Sequence, residues 1–373
     1  MSAVIATDLR RLAGQLLMTG IPGTELDAAT AQWLQDSGMR AVCLRAENIG
    51  DKAQLGSLTS ALQRVLGPQA LIAIDTAGAA PVYPAWLPVP PTAAALCAEG
   101  DASLAYGTGA CVARALRSLG INWHLAPLLN LAPDGATAAA PGAEHAFGGD
   151  PTHASAMAMA WMAGSQSEGV ACCARLFMPS AALSTPPGQP DAPKLALPTV
   201  AKSRAQLEEY DFVPFRQATL QAASMMSAHV LYPALDAALP ASLSPRVLQG
   251  LVREQWHFDG VIISDGLDTG SVRARHATGE IAVRSVAAGS DMAMVLEAPV
   301  AVAALDGLAA ALASGSVPLQ AAGARLARLA AQAQRYPAKA ELHMQHYVQE
   351  AADRIILAEG WRRCRAALAR QQP

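Results

Sequence analysis

Eight apolar runs punctuate the chain, at 15–20, 41–45, 71–75, 121–126, 170–175, 224–230, 260–265 and 291–296, and a helix-compatible stretch follows each. Short runs that stay apolar on both faces, with helices between them, predict parallel strands buried on both sides. Repeated βα units of this kind predict an α/β fold, a closed (β/α)8 TIM-type barrel. The clearest helices are the Ala- and Leu-rich amphipathic stretches Ala53 to Leu66, Ala102 to Leu119, His153 to Glu168 and Ser244 to Gln255. Asp101 and Ser244 stand where N-caps are needed, and Pro245 follows at the first helical position.

Two stretches break the alternation. Residues 132–149 and 178–198 are rich in Ala, Pro, Gly and Ser, and both follow predicted strands, so on a barrel they would arch over the C-terminal face. The run Thr185-Pro186-Pro187-Gly188-Gln189-Pro190 excludes helix there. After Pro337 the pattern changes to an appended helical segment, Ala338 to Arg370, with Leu342, Tyr347, Ile355, Ile356 and Trp361 as apolar points and a basic end at Arg362-Arg363-Cys364-Arg365. The expected organisation is therefore a barrel over 1–336 and a helical extension over 337–373, the latter packed on the barrel or against a protein partner through 338–370.

Composition narrows the functional classes. With 52% hydrophobic and 15% charged residues among 373, the chain can bury a large core. A net charge of −3 provides no field for nucleic acid, which leaves a small molecule held by local groups as the expected partner. No run is long enough to span a membrane, and Met1 to Gly20 lacks a signal-peptide pattern. The six cysteines have no metal-site spacing and several lie in apolar surroundings, as in a reducing cytoplasm. His343 and His346 lie three apart without a third ligand, so neither a metal nor another cofactor is expected.

Candidate chemistry sits at the ends of the predicted strands. Val261-Ile262-Ile263-Ser264-Asp265 is a β-branched run that delivers one acid to the rim of a barrel, and Asp75 and His229 end their own runs similarly. His229 either lines a pocket or donates to a neighbouring carbonyl beneath its floor.

On several separate segments the chain resembles the single-domain β-N-acetylglucosaminidases of glycoside hydrolase family 3, over residues 9 to 330. Gly14-Gln15-Leu16-Leu17-Met18 is similar to the family's opening strand, and Leu71-Ile72-Ala73-Ile74-Asp75 to the strand whose Asp binds sugar hydroxyls. Leu119-Gly120-Ile121-Asn122-Trp123 to Pro127, Ser227 to Asp236, and Phe258 to Asp265 complete the match in order and spacing. The resemblance implies retaining hydrolysis, in which a carboxylate at Asp265 attacks the anomeric carbon and a second group protonates the leaving oxygen.

The departures are as specific as the matches. The family carries its acid/base on a loop after the fifth strand, in a segment KHFPGHG; this chain reads Arg175-Leu176-Phe177-Met178-Pro179-Ser180-Ala181. Arg175 thus replaces a sugar-binding Lys, and Ser180, which cannot act as a general acid at neutral pH, replaces the catalytic His. The Asp-Arg of the family's DRSFG segment becomes Glu144-His145, the acid after the fourth strand becomes Asn130, and Gly266 follows the nucleophile position. Asn48 is expected to be a loop residue, since Glu47 replaces its Arg neighbour.

These residues imply a catalytically altered family 3 protein, a pseudoglycosidase binding a small polar or sugar-like ligand through Asp75, His145, Arg175 and His229. The ligand would be an amino sugar or a biosynthetic intermediate. The alternative is an active enzyme that uses Asp265 with Glu144, His145 or Asp191 for proton transfer. A second alternative is a protein-interaction scaffold.

Overall fold

All eight apolar runs form strands in the computed structural model, which describes residues 3–75, 89–132, 146–175, 197–339 and 345–370. They are β1 (Leu17–Thr19), β2 (Ala41–Leu44), β3 (Leu71–Ile74), β4 (Trp123–His124), β5 (Ala171–Arg175), β6 (Ser224–Ser227), β7 (Val261–Ser264) and β8 (Ala293–Val295). Every residue in them is buried, as expected for strands enclosed by a packed interior on one side and helices on the other. All pairings are parallel, and β1 lies between β2 and β8. The ring closes between β7 and β8 through the bridge Ile263–Met292 and the bonds Ser264 N to Met292 O (3.1 Å) and Leu267 N to Met294 O (2.9 Å). The protein is an α/β TIM-type barrel.

Both predicted caps form. Asp101 accepts from Ser103 N (2.8 Å) at the head of the Ala102–Ser118 helix, and Ser244 Oγ accepts from Val247 N (3.3 Å). The second helix, Arg246–Gln255, is wound more widely than an α-helix: the Trp256 amide reaches Leu251 O, five residues back (3.0 Å). Inside the barrel Trp123 Nε1 donates to Ser224 Oγ (2.8 Å), joining β4 to β6 across the interior. The Asn of the matched Leu119–Pro127 segment is structural. Asn122 Oδ1 accepts from Ile72 N (2.8 Å), and its amide nitrogen donates to Ala70 O (3.0 Å) and Tyr336 O (2.7 Å).

The outer helices approach one another backbone to backbone at several glycines, Gly14, Gly109, Gly164 and Gly307 among them. Gly109, on Ala102–Ser118, lies against the carbonyl of Trp161 on the Pro151–Ser167 helix, and Gly164 of that second helix lies against the carbonyl of Tyr106. A Cβ at either position would overlap the opposing oxygen.

The C-terminal segment contains a single helix over Gln345–Arg370 that packs on the Ala93–Glu99 and Ala102–Ser118 helices. Leu357, Cys364 and Ala367 are buried in the contact, whereas Ile355 and Ile356 are 71% and 40% exposed. Charge fixes the docking: buried Asp353 accepts from Arg114 Nη2 (2.6 Å), and Arg363, from the basic end, bonds Glu99 and Asp101 (both 2.7 Å). Trp361 Nε1 donates to Val89 O (2.8 Å). Leu342 and His343 lie outside the described residues. All six cysteines are free thiols; burial pushes those of Cys172 and Cys173 up to about 12, beyond reactive use. Among the described residues no helix is long and apolar enough to cross a membrane.

Candidate functional site

Parallel strands all run toward the same face of the barrel, so residues at the ends of β3, β5, β6 and β7 meet at one rim. Asp75 follows β3 and is tied there by its amide to Leu44 O (3.1 Å). Arg175 ends β5, with its amide on Pro127 O (3.0 Å), and its guanidinium makes an ion pair with Asp75 and a long contact to Leu125 O (3.4 Å). Asp265 follows β7, with its amide on Ser227 O (2.9 Å). Its carboxylate accepts from the Gly266 amide (2.8 Å), its one hydrogen bond among the described residues.

Electrostatics join these three groups. Burial works against the charge on Arg175, which is only 7% exposed, but Asp75 first and Asp265 next outweigh it and hold the guanidinium above its ordinary value. The arginine is therefore a fixed cation between two carboxylates. Its Nε is buried without a hydrogen bond, as are both amide atoms of Asn130, which is 5% exposed. The neighbouring Leu129 amide bonds Arg175 O (3.2 Å), which brings Asn130 to the same rim.

His229 is braced on both sides. Nε2 donates to the Gly266 carbonyl (2.8 Å), and Nδ1 meets Ser242 Oγ (2.7 Å). This is the carbonyl-bound arrangement open from the sequence, and it locks the peptide that follows Asp265. Asp268 adds a brace nearby, accepting from Leu296 N (2.8 Å) and Glu297 N (2.7 Å). Beyond the His229 brace is a largely apolar cavity of about 210 Å³, walled by Leu231, Leu243 and Val272, with Arg275 and His276 also lining it.

Sequence reading missed His124. Strand alternation explains its position: Trp123 points into the barrel, so His124 faces the helical layer, its ring 5.5 Å from that of Trp161. Burial depresses its pKa to about 4, with Asp75 opposing and Arg175 reinforcing the shift. The signal available was a titratable residue at an outward position of a strand with both faces buried.

Asn48, expected in a loop, ends a short 3-10 helix over Ala46–Asn48 and is buried; its side chain accepts from Arg45 N (2.8 Å) and donates to Ile21 O (2.9 Å) and Gly23 O (2.7 Å). Glu144, His145, Ser180 and Asp191 lie outside the described residues. Among those described, no three His, Cys, Asp or Glu side chains are grouped as a metal ion would need.

Comparison with known proteins identifies the family and the fold. The family described as "Glycosyl hydrolase family 3 N terminal domain" matches residues 8–331. A Beta-hexosaminidase of Pseudomonas aeruginosa is 33% identical over 287 residues, covering 75% of this chain and 81% of that one. A glycoside hydrolase family 3 β-N-acetylglucosaminidase from Paenibacillus sp. superposes with a TM-score of 0.84 at 29% identity, over 95% of this chain and 68% of its own. A structure from Neisseria gonorrhoeae in complex with N-trifluoroacetyl-D-glucosamine shares the fold, with a TM-score of 0.72 at 24% identity over 92% of this chain and 97% of that one.

Proposed function

The chain belongs to glycosyl hydrolase family 3, and we propose that it binds a small polar, sugar-like ligand at the C-terminal rim without carrying out ordinary β-N-acetylglucosaminide hydrolysis. The observation that carries this reading is the absence of any histidine between His153 and His229, the stretch in which the resemblance puts the acid/base. Retaining hydrolysis needs a proton donor opposite the nucleophile. Among the described residues near Asp265, Arg175 is a permanent cation and His229 is engaged at both nitrogens. His124 is buried against Trp161, on the helical side of β4.

Ligand binding is supported by the polar groups at the rim, of which Asp75 is retained from the family pattern. Asp75, Arg175 and Asn130 converge where barrel enzymes hold their substrates, and the rim supplies both charge signs. The activities for which the relatives are named point to amino sugars as the ligand class. The test is an assay with an aryl β-N-acetylglucosaminide, whose good leaving group needs little protonation, alongside a thermal-shift screen of amino sugars and muropeptide fragments. No turnover, with one compound raising the melting temperature, is expected. Robust turnover that disappears in Asp265→Ala overturns the reading.

One observation favours an active enzyme instead. Because Arg175 is paired with Asp75, the carboxylate of Asp265 keeps acceptor capacity beyond its Gly266 bond. In this second reading Asp265 acts as nucleophile or base and Glu144, His145 or Asp191 moves the proton. An activated substrate would then leave a covalent adduct on Asp265, visible by peptide mass. Unchanged activity in Asp265→Asn rejects it.

A further inference from the structure

At the opposite pole of the barrel, a cavity of about 350 Å³ opens between the segments entering β6 and β7, residues 219–223 and 257–261, and the Leu319–Arg335 helix. That volume is at the lower end of small-molecule sites. Two independent features mark it.

The first is an excess of positive charge. Asp291, fully buried before β8, takes bonds from Arg253 Nη2, from Arg328 Nε (2.9 Å) and Nη2 (2.7 Å), and from Ile262 N (2.7 Å). Arg325 lies in the same cluster but bonds only carbonyls, Ser290 O (3.0 Å) and Val286 O (2.8 Å). Arg335, exposed in the cavity lining, sits 5.4 Å from the centre of the Tyr336 ring and has no acidic partner among the described residues. Arg253, Arg325 and Arg328 thus surround Asp291, with Asp259 acting on Arg253, and Arg335 brings a fourth positive charge to the cavity, four against two negative. Burial holds Arg253 and Arg325 below the ordinary guanidinium value, and Asp291 offsets it only in part. The cluster lacks negative charge.

The second is unsatisfied polarity. Gln332, in the cavity wall, is 5% exposed, yet neither its amide oxygen nor its nitrogen makes a hydrogen bond. Arg328, whose side chain is 33% exposed, uses its Nε and Nη2 on Asp291, which leaves Nη1 without a protein partner among the described residues. Unpaired polar groups in a wall of this kind are costly unless something else bonds them.

We propose that this N-terminal cavity is a binding site for a small molecule bearing a phosphate group, held by Arg335 and Arg328 with the Gln332 amide beside it. A phosphate carries nearly two negative charges near neutral pH together with several strong acceptor oxygens, which matches the excess of two positive charges; a carboxylate would neutralise half of it. The site does not depend on any reading of the Asp265 rim.

The test is calorimetric titration of the full chain with inorganic phosphate, ionic strength held constant with chloride. Saturable binding to one site is expected, weakened about tenfold or more in Arg335→Gln, since an ionic hydrogen bond of this kind is lost. Arg335 is exposed, so this variant should melt like the wild type. Asp265→Asn should bind phosphate unchanged. Absence of saturable binding, or binding that Arg335→Gln leaves intact, overturns the proposal. Tighter binding in Asp265→Asn, as neutralising a carboxylate beside a bound anion would give, overturns it as well, by placing the phosphate at the other rim.

Discussion

Arg175 and Asp75, on β5 and after β3, form an ion pair across the rim of the barrel although 100 residues separate them in the chain. The arginine side chain is 9% exposed and the aspartate 17%, so the pair is largely removed from water. The residue matched to sugar binding is therefore already occupied by a protein cation. A ligand must share Asp75 with Arg175, donating to the carboxylate and accepting from the guanidinium.

Asp75→Asn should destabilise the fold by about 3 kcal/mol or more, because it leaves a buried guanidinium without its counter-charge. The double variant Asp75→Leu/Arg175→Met removes both charges and should recover much of that loss. Urea denaturation of the variants checks this. Additive losses with no coupling would mean that the two side chains do not interact.

His124 should make the protein acid-sensitive in a defined window. Its folded pKa of about 4 lies below the value near 6.5 expected when unfolded, so the unfolded chain binds the proton first. Stability from this residue is complete above about pH 6.5 and falls with acidification until about pH 4, with a slope of at most about 1.4 kcal/mol per pH unit. His124→Phe, which keeps an aromatic ring against Trp161, should flatten the stability profile over that range. Identical profiles would exclude a buried, neutral imidazole.

Two glycines, two positions apart on one helix, should respond in opposite directions. Gly107→Ala places its methyl in ordinary contact, 4.0 Å from Ile356, and should be neutral or stabilising by up to about 1 kcal/mol through helix propensity. Gly109→Ala drives the same methyl into the Trp161 carbonyl and should cost about 1–3 kcal/mol. Thermal melts of the two variants are the measurement; equal shifts would refute the close helix contact.

Asp353→Leu should release the C-terminal helix, since it removes the buried acceptor that binds Arg114 and Gln349. Limited proteolysis should then cut beyond Lys339 while the barrel fragment resists. Cleavage no faster than in the wild type would show that docking does not rest on Asp353.

The barrel was legible because each strand is a continuous apolar run, and burial on both faces makes every position report the same thing. The caps at Asp101 and Ser244 were legible for a local reason, a short polar side chain next to its own helix. The Arg175–Asp75 pair was not, because sequence placed each at a strand end without showing that the two would join. Pattern likewise could not show that Asp353 would be buried while Ile355 is exposed: that face is set by where Arg114 lies on another helix. His124 was missed because it lies inside a run read only for its hydrophobicity.

The bond from Trp361 to the Val89 carbonyl gives the protein a direction in time. Val89 follows the third strand in sequence, and the indole that donates to it lies 272 residues further on. During synthesis all eight strands emerge before Gln345–Arg370 does, so a barrel can close on the ribosome while this edge of the connection after Asp75 still lacks its clasp. The Gln345–Arg370 helix, made after all eight strands, thus adds its contact to a barrel that is already able to close.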